Sequence, residues 1–80
     1  MSASNLKILN KFLYTKGYND IDEEKELRNY VSSLNIVEMI CFIEDSMNIL
    51  IPDEDTYIFS EDLVTISRYL DKYNSGKNKS

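Results

Sequence analysis

The sequence predicts an all-α fold, a small bundle of three main helices with one short third helix between the last two. Three stretches carry apolar residues at the spacing of an amphipathic helix, residues 4–16, 34–47 and 61–73. One other apolar run, residues 49–51, has no second strand to pair with, so we interpret it as a loop. Eighty residues make one domain with a modest core. We place this domain at residues 1–73 and predict a disordered tail at 74–80.

The first predicted helix has an apolar face formed by its leucines. Ser4 is a suitable N-cap residue, and Gly17 is suited to the left-handed conformation that ends many helices. The next stretch, residues 17–32, opens with turn-type residues and continues with a cluster of acids that we interpret as solvated. It is predicted to be a long loop, with a short helix from Glu23 to Tyr30 as the alternative. Its expected inward anchors are Ile21, Leu27, Tyr30 and Val31.

The central helix is expected to be the most buried, because apolar residues cover more than half of its circumference. Cys41 lies within that apolar zone and is expected to behave as a small hydrophobic residue. Asn48 can end the helix in a left-handed conformation. Ile51 is expected to be extended because it precedes Pro52.

The chain after Pro52 is predicted to form the short helix and then the last main helix. A proline followed by three acids, residues 53–55, suits a first helical turn, and Tyr57, Ile58 and Phe59 would form its apolar side. Ser60 is the predicted N-cap of the last helix. That helix has an apolar face made of Leu63, Ile66, Leu70 and Tyr73.

Composition excludes several classes of function. Nine basic residues stand against fourteen acidic ones, a formal net charge of −5, which argues against a nucleic-acid partner. No apolar run has the roughly 18 residues of a membrane span, and the N-terminus lacks a signal-peptide pattern, so a cytoplasmic location is expected. The chain has one cysteine and no histidine, which argues against a zinc site and against histidine-dependent triads. We therefore expect a protein that is not an enzyme.

From Ser33 onward several short features occur at fixed spacing: Ser33-Leu34 at the start of the central helix, the pair Val37-Glu38, the pair Glu44-Asp45 and the segment 51–54, Ile-Pro-Asp-Glu. In this combination the sequence resembles the acyl carrier protein family, where Ser33-Leu34 matches the last two residues of an Asp-Ser-Leu motif at the start of the second helix. One departure is that Ser32 stands where the family has aspartate, a carboxylate that helps the modifying transferase there. The resemblance implies that Ser33 holds a 4′-phosphopantetheine arm through a phosphodiester. The alternative is that Ser33 serves only as the N-cap of the central helix.

The resemblance also implies partners and a surface that they contact. The expected partners are a phosphopantetheinyl transferase, an acyl-loading ligase or transferase, and synthase enzymes with basic docking patches. They would contact Glu38, Glu44 and Asp45, although each of these acids is equally consistent with an ordinary solvated helix face. Asp53, Glu54 and Asp55 either extend that acidic strip or only favour the start of the short helix. Four apolar residues of the central helix are candidates to border a cleft that shelters an acyl chain, although plain core is the preferred interpretation: Leu34, Ile36, Met39 and Ile40. The first three are also counted with the docking surface.

Two functions remain open at this point. The first is a free-standing carrier that holds an acyl or aminoacyl group as a thioester, in a specialised fatty-acid, polyketide or related pathway. The second is a carrier-like fold that is never modified and acts only as a protein-interaction module, which the departure at Ser32 favours.

Overall fold

The computed structural model describes residues 2–79, and the side chains of residues 5–73. It confirms the all-α prediction. Helix α1 spans Ser2–Thr15, α2 spans Ser33–Met47 and α3 spans Leu63–Lys79. Two 3₁₀ segments lie between them, a single turn at Leu27–Asn29 and the predicted short helix at Asp53–Ser60. The described residues contain no strand, so residues 49–51 form a loop as predicted.

One hydrophobic core draws on every helix and on both connections. Helix α1 packs more extensively against α3 than against α2, and α2 rests mainly on α1 and on the 3₁₀ helix at Asp53–Ser60. The prediction that α2 is the most buried helix is therefore wrong, because α1 and α3 form the central pair and α2 lies at one side. The buried apolar residues are Leu9, Phe12, Leu13, Leu27, Val31, Ile36, Met39, Ile43, Ile51, Phe59, Leu63, Ile66 and Leu70.

Helix α1 ends at the predicted glycine. Gly17 has a φ of 94°, a left-handed conformation that costs glycine little because it has no Cβ. The Tyr18 N–H donates to the Leu13 carbonyl and the Gly17 N–H donates to the Tyr14 carbonyl, both at 3.0 Å. These two bonds form a Schellman motif. At the other end the helix begins at Ser2. The prediction of Ser4 as N-cap is therefore wrong, because Ser4 lies inside the first helical turn.

The long loop after α1 is fixed to the start of α3 rather than left in solvent. Its acid Glu23 accepts a hydrogen bond from Asn10 Nδ2 at 2.8 Å, and its carbonyl accepts one from the Val64 N–H at 3.3 Å. Arg28 forms an ion pair with Glu61 at 2.7 Å. The prediction that the whole acidic cluster is solvated is therefore wrong at Glu23. The predicted anchors do face inward, with Leu27 and Val31 buried and Ile21 and Tyr30 packed against the core.

Helix α3 begins later than predicted. Asp62, not Ser60, caps it, because its carboxylate accepts hydrogen bonds from the Thr65 N–H at 3.1 Å and from the Thr65 hydroxyl at 2.8 Å. Ser60 instead ends the preceding 3₁₀ helix. Helical backbone continues to Lys79, beyond the apolar spacing that ends at Tyr73. The disordered tail at 74–80 stays a prediction, and Ser80 lies outside the described residues.

A tyrosine pair fixes the segment after α2 to α3. Tyr69 donates its hydroxyl proton to Asp55 Oδ2 at 2.7 Å, and Tyr73 donates to the Leu50 carbonyl at 3.1 Å. The two rings meet edge to face, with centroids 5.3 Å apart. Burial raises the pKa of the Tyr69 phenol, and its contacts with Tyr73 and Asp55 raise it further. The neutral phenol is therefore the form that the fold requires.

None of the helices in the described part of the chain is long and apolar enough to cross a membrane.

We predict that stability declines in alkali because of Tyr69. Its pKa is raised in the native state, whereas in the unfolded chain it ionises near pH 10, so its stabilising contribution is lost as pH rises above about 10. At neutral pH, Tyr69→Phe should have a free energy of unfolding about 1 kcal/mol lower than the wild type, measured by urea denaturation. It should lose less stability than the wild type between neutral pH and about pH 11. Tyr57→Phe, at an exposed position, is the matched control. Parallel alkaline losses in wild type and Tyr69→Phe would contradict this account.

Candidate functional site

Ser33 is the first helical residue of α2, which begins one residue earlier than the predicted 34–47. The preceding residue, Ser32, is the N-cap, with extended backbone at φ −65° and ψ 151°. Its Oγ accepts a hydrogen bond from the Asn35 N–H at 3.2 Å. Ser33 is exposed, and its hydroxyl has no hydrogen-bond partner among the described residues. The alternative that Ser33 serves only as the N-cap is therefore wrong, because Ser32 does that.

A side chain from the beginning of the first loop, just after α1, forms hydrogen bonds with the start of α2. The phenol oxygen of Tyr18 accepts hydrogen bonds from Asn35 Nδ2 at 2.9 Å and from the Ser32 N–H at 3.4 Å. Donation by Asn35, and then by the Ser32 amide, lowers the pKa of Tyr18. Sequence analysis missed Tyr18, because no local pattern links it to a helix start so far along the chain. The turn at Gly17 places it there.

The start of α2 can accommodate an anion beside Ser33. The Asn35 N–H is bonded to the Ser32 side chain and the Ile36 N–H to the Ser32 carbonyl. The two preceding amides, of Ser33 and Leu34, have no acceptor within the helix. Free amides and the positive end of the helix dipole favour a phosphate at this position. The exposed hydroxyl and these amides fit a phosphodiester on Ser33. Among the described residues no group of His, Cys, Asp and Glu side chains could hold a metal ion.

Helix α2 buries only one edge and exposes a second apolar edge. Its buried residues are Ile36, Met39 and Ile43. Ile36 and Met39, two of the predicted docking residues, therefore belong to the core and cannot contact a partner in this conformation. Leu34 and Val37, by contrast, are 68% and 55% exposed.

Cys41 lies one turn beyond Val37 on the exposed edge of α2. It is exposed, so the prediction that it behaves as a small hydrophobic residue inside the apolar zone is wrong. The three residues Leu34, Val37 and Cys41 are spaced three and four apart and share one side of the helix. We call them the exposed strip. It begins directly after Ser33.

The predicted docking acids differ in what they already contact. Glu38 Oε1 lies 2.7 Å from Lys16 Nζ of α1. That oxygen is buried and makes no hydrogen bond of good geometry, so the contact is a charge pair. Glu44 Oε2 accepts a hydrogen bond from the Ile51 N–H at 2.9 Å. Both carboxylates therefore have a structural partner.

The remaining acids of the predicted docking surface are free. Asp45, Asp53 and Glu54 are exposed, and their carboxylates make no ion pair or hydrogen bond among the described residues. Asp53 and Glu54 lie in the first turn of the 3₁₀ helix, directly after Pro52. These three acids and the exposed strip form the part of the predicted surface that a partner can contact without breaking an existing bond.

Glu44 also fixes the end of α2. Its carbonyl accepts hydrogen bonds from the N–H groups of Asn48 and Ile49. Asn48 has the predicted left-handed conformation, with φ 57° and ψ 51°. Together with the carboxylate bond to the Ile51 N–H, these contacts fold the connector back so that Ile51 is buried.

We predict that substitution of two adjacent acids has different effects on stability. Glu44→Ala should lower the free energy of unfolding by roughly 1 kcal/mol, because it leaves the Ile51 N–H without its acceptor. Asp45→Ala should change it by less than about 0.5 kcal/mol, since Asp45 is exposed and its carboxylate makes no ion pair or hydrogen bond among the described residues. Urea unfolding followed by circular dichroism measures both. Equal losses for the two variants would show that the bond to Ile51 does not stabilise the connector.

The chain was compared with protein-family models, with curated proteins and with solved structures, and none of them matches it.

Proposed function

We propose that this protein is an acyl carrier whose arm, 4′-phosphopantetheine, is attached to Ser33. The observation that carries the proposal is that two adjacent serines have different positions at the start of α2. Ser32 caps the helix, which leaves the Ser33 hydroxyl exposed at the first helical position, with no hydrogen-bond partner among the described residues. The resemblance to acyl carrier proteins that runs from Ser33 through the segment 51–54 supports the same residue.

The part that the chain plays in such a reaction is simple. The Ser33 oxygen gives up its proton and bonds to the phosphorus of the pantetheine phosphate of coenzyme A, and adenosine bisphosphate leaves. The free amides of Ser33 and Leu34 then face the phosphodiester. The arm supplies a thiol that carries an acyl or aminoacyl group as a thioester. The protein itself positions the attachment point and presents a surface to partner enzymes, and on this proposal it is not an enzyme.

The exposed strip and the free acids support the docking part of the proposal. Leu34 lies next to the attachment residue and is largely exposed, so an enzyme that reaches Ser33 meets an apolar contact there. Asp45, Asp53 and Glu54 attract a basic patch on a transferase, a loading ligase or a synthase. Charge complementarity of this kind speeds encounter more than it tightens the complex, which suits a carrier that must dissociate. The pathway that fits is a specialised fatty-acid, polyketide or related one.

We predict that a broad-specificity phosphopantetheinyl transferase with coenzyme A adds one phosphopantetheine to the chain. Intact mass spectrometry should show the single adduct and fragmentation should place it on Ser33. Ser33→Ala should gain none. Ser32→Ala, which keeps the Ser33 hydroxyl, should still be modified although it loses its cap and about 1 kcal/mol of stability. An adduct on Ser32 would overturn the assignment of Ser33.

We further predict that Ser32→Asp is modified faster than the wild type. Aspartate caps a helix about as well as serine, so the free energy of unfolding should change by less than about 0.5 kcal/mol. The new carboxylate restores the residue that assists the transferase in the family. The initial rate of adduct formation, at equal concentrations of transferase, measures the effect. A chain that is refractory both as wild type and as Ser32→Asp contradicts the carrier proposal.

The second candidate is an unmodified protein-interaction module. The observation that favours it is the exposed strip, an apolar surface that can bind a partner whether or not Ser33 carries an arm. Its distinguishing result is the intact mass of the protein purified from its native host. An arm on Ser33 supports the carrier, and any further mass on its thiol identifies the cargo. An unmodified native protein that also resists the transferase supports the module.

A further inference from the structure

A groove on the outer side of α1 and α2 has no part in the proposed carrier function. Four residues of α1 line it at positions i, i+3, i+4 and i+7, and two residues of α2 lie opposite, one turn apart. Its volume is about 490 Å³, which is within the range of small-molecule sites. The principal lining residues are Ile8, Lys11, Phe12, Thr15, Phe42 and Ser46.

The floor of the groove is apolar. The rings of Phe12 and Phe42 pack across it with centroids 5.1 Å apart, and Ile8 extends it towards the start of α1. Phe42 is 36% exposed, so part of its ring faces solvent when the groove is empty. A ligand that covers this floor removes aromatic surface from water, which is favourable.

The edge of the groove is basic in a chain that is acidic. All fourteen acidic residues follow Asn19, so the segment that forms α1 carries lysines and no acid. Lys16 also borders the groove, but its charge is balanced by Glu38 at 2.7 Å. Lys11 is exposed and has no ion-pair partner among the described residues. One uncompensated positive charge therefore stands beside an apolar floor.

We propose that this groove binds a small anionic amphiphile, a single alkyl chain of medium length that ends in a carboxylate. The alkyl chain lies over Phe12 and Phe42, and the carboxylate pairs with Lys11. The single free charge matches a single anionic head group better than it matches a polyanionic helix. The floor on α1 runs from Ile8 to Thr15, about 10 Å, which is short for a docked amphipathic helix with several anchors.

The experiment uses the unmodified 80-residue chain with decanoate, decanol and decyltrimethylammonium as probes, each below its critical micelle concentration. Amide chemical shifts are followed by NMR during titration. Decanoate should shift the residues of α1 and α2 that line the groove, and should saturate at one molecule per chain. Decanol should bind more weakly and decyltrimethylammonium weakest. Equal binding of all three probes, or shifts centred elsewhere, would overturn the proposal.

Matched variants separate the contribution of the Lys11 charge from that of the apolar floor. Lys11→Gln should weaken decanoate binding by about three- to fivefold and leave decanol binding unchanged. Lys7→Gln removes the same charge from the same helix outside the groove, and should change neither. Phe42→Ala should weaken both probes by about tenfold, whereas Val37→Ala, on the exposed strip, should weaken neither. Equal effects of Lys7→Gln and Lys11→Gln would reduce the site to general charge attraction and contradict it.

Two other occupants are outcomes of the same test. Binding of an acidic amphipathic peptide at the groove without binding of decanoate would overturn the proposal in favour of a protein partner. Association with anionic vesicles, again without decanoate binding, would do so in favour of a membrane surface. The result does not depend on Ser33, because no arm is present in the unmodified chain, so its failure and the failure of the carrier proposal are separate findings.

Discussion

The core can cover only one edge of α2, and the rest of the structure depends on that limit. Helices α1 and α3 pair closely, and α2 lies against one side of the pair and against the 3₁₀ helix. The described residues supply no further layer over the outer side of α2. Single apolar residues on a surface are ordinary. Leu34, Val37 and Cys41, however, share one side of a helix, and they begin next to Ser33.

Element ends were predictable where a single residue determines the backbone. Gly17 and Asn48 both adopt the left-handed conformation expected of them, and Pro52 stands directly before the 3₁₀ helix. Each of these signals acts within a few residues, so the sequence contains it in full. The cap of α3 was mistaken because Ser60 and Asp62 are both good N-caps, and the choice between them depends on how the 3₁₀ helix before them ends.

The orientation of α2 was not predictable, for a reason visible in its composition. Apolar residues occupy more than half of its circumference, so several rotations about its axis would bury an acceptable face. Packing against α1 and the 3₁₀ helix selects Ile36, Met39 and Ile43. The acids present the same problem. Glu44 and Asp45 are alike and adjacent in sequence, but only Glu44 meets the Ile51 amide, a contact that depends on the path of the connector.

Helix α2 also separates two surfaces of opposite character, and one ion pair joins them. The exposed strip and Ser33 belong to the proposed docking surface, whereas Phe42 and Ser46 face the basic groove. Lys16 borders that groove and pairs with Glu38, an acid of the predicted docking strip. If both proposals hold, a basic partner that engaged Glu38 would release Lys16 and leave the groove more positive. The proposed ligand pairs with Lys11 and not with Lys16, so this coupling is indirect, and it is limited to the small free energy of a partly exposed ion pair.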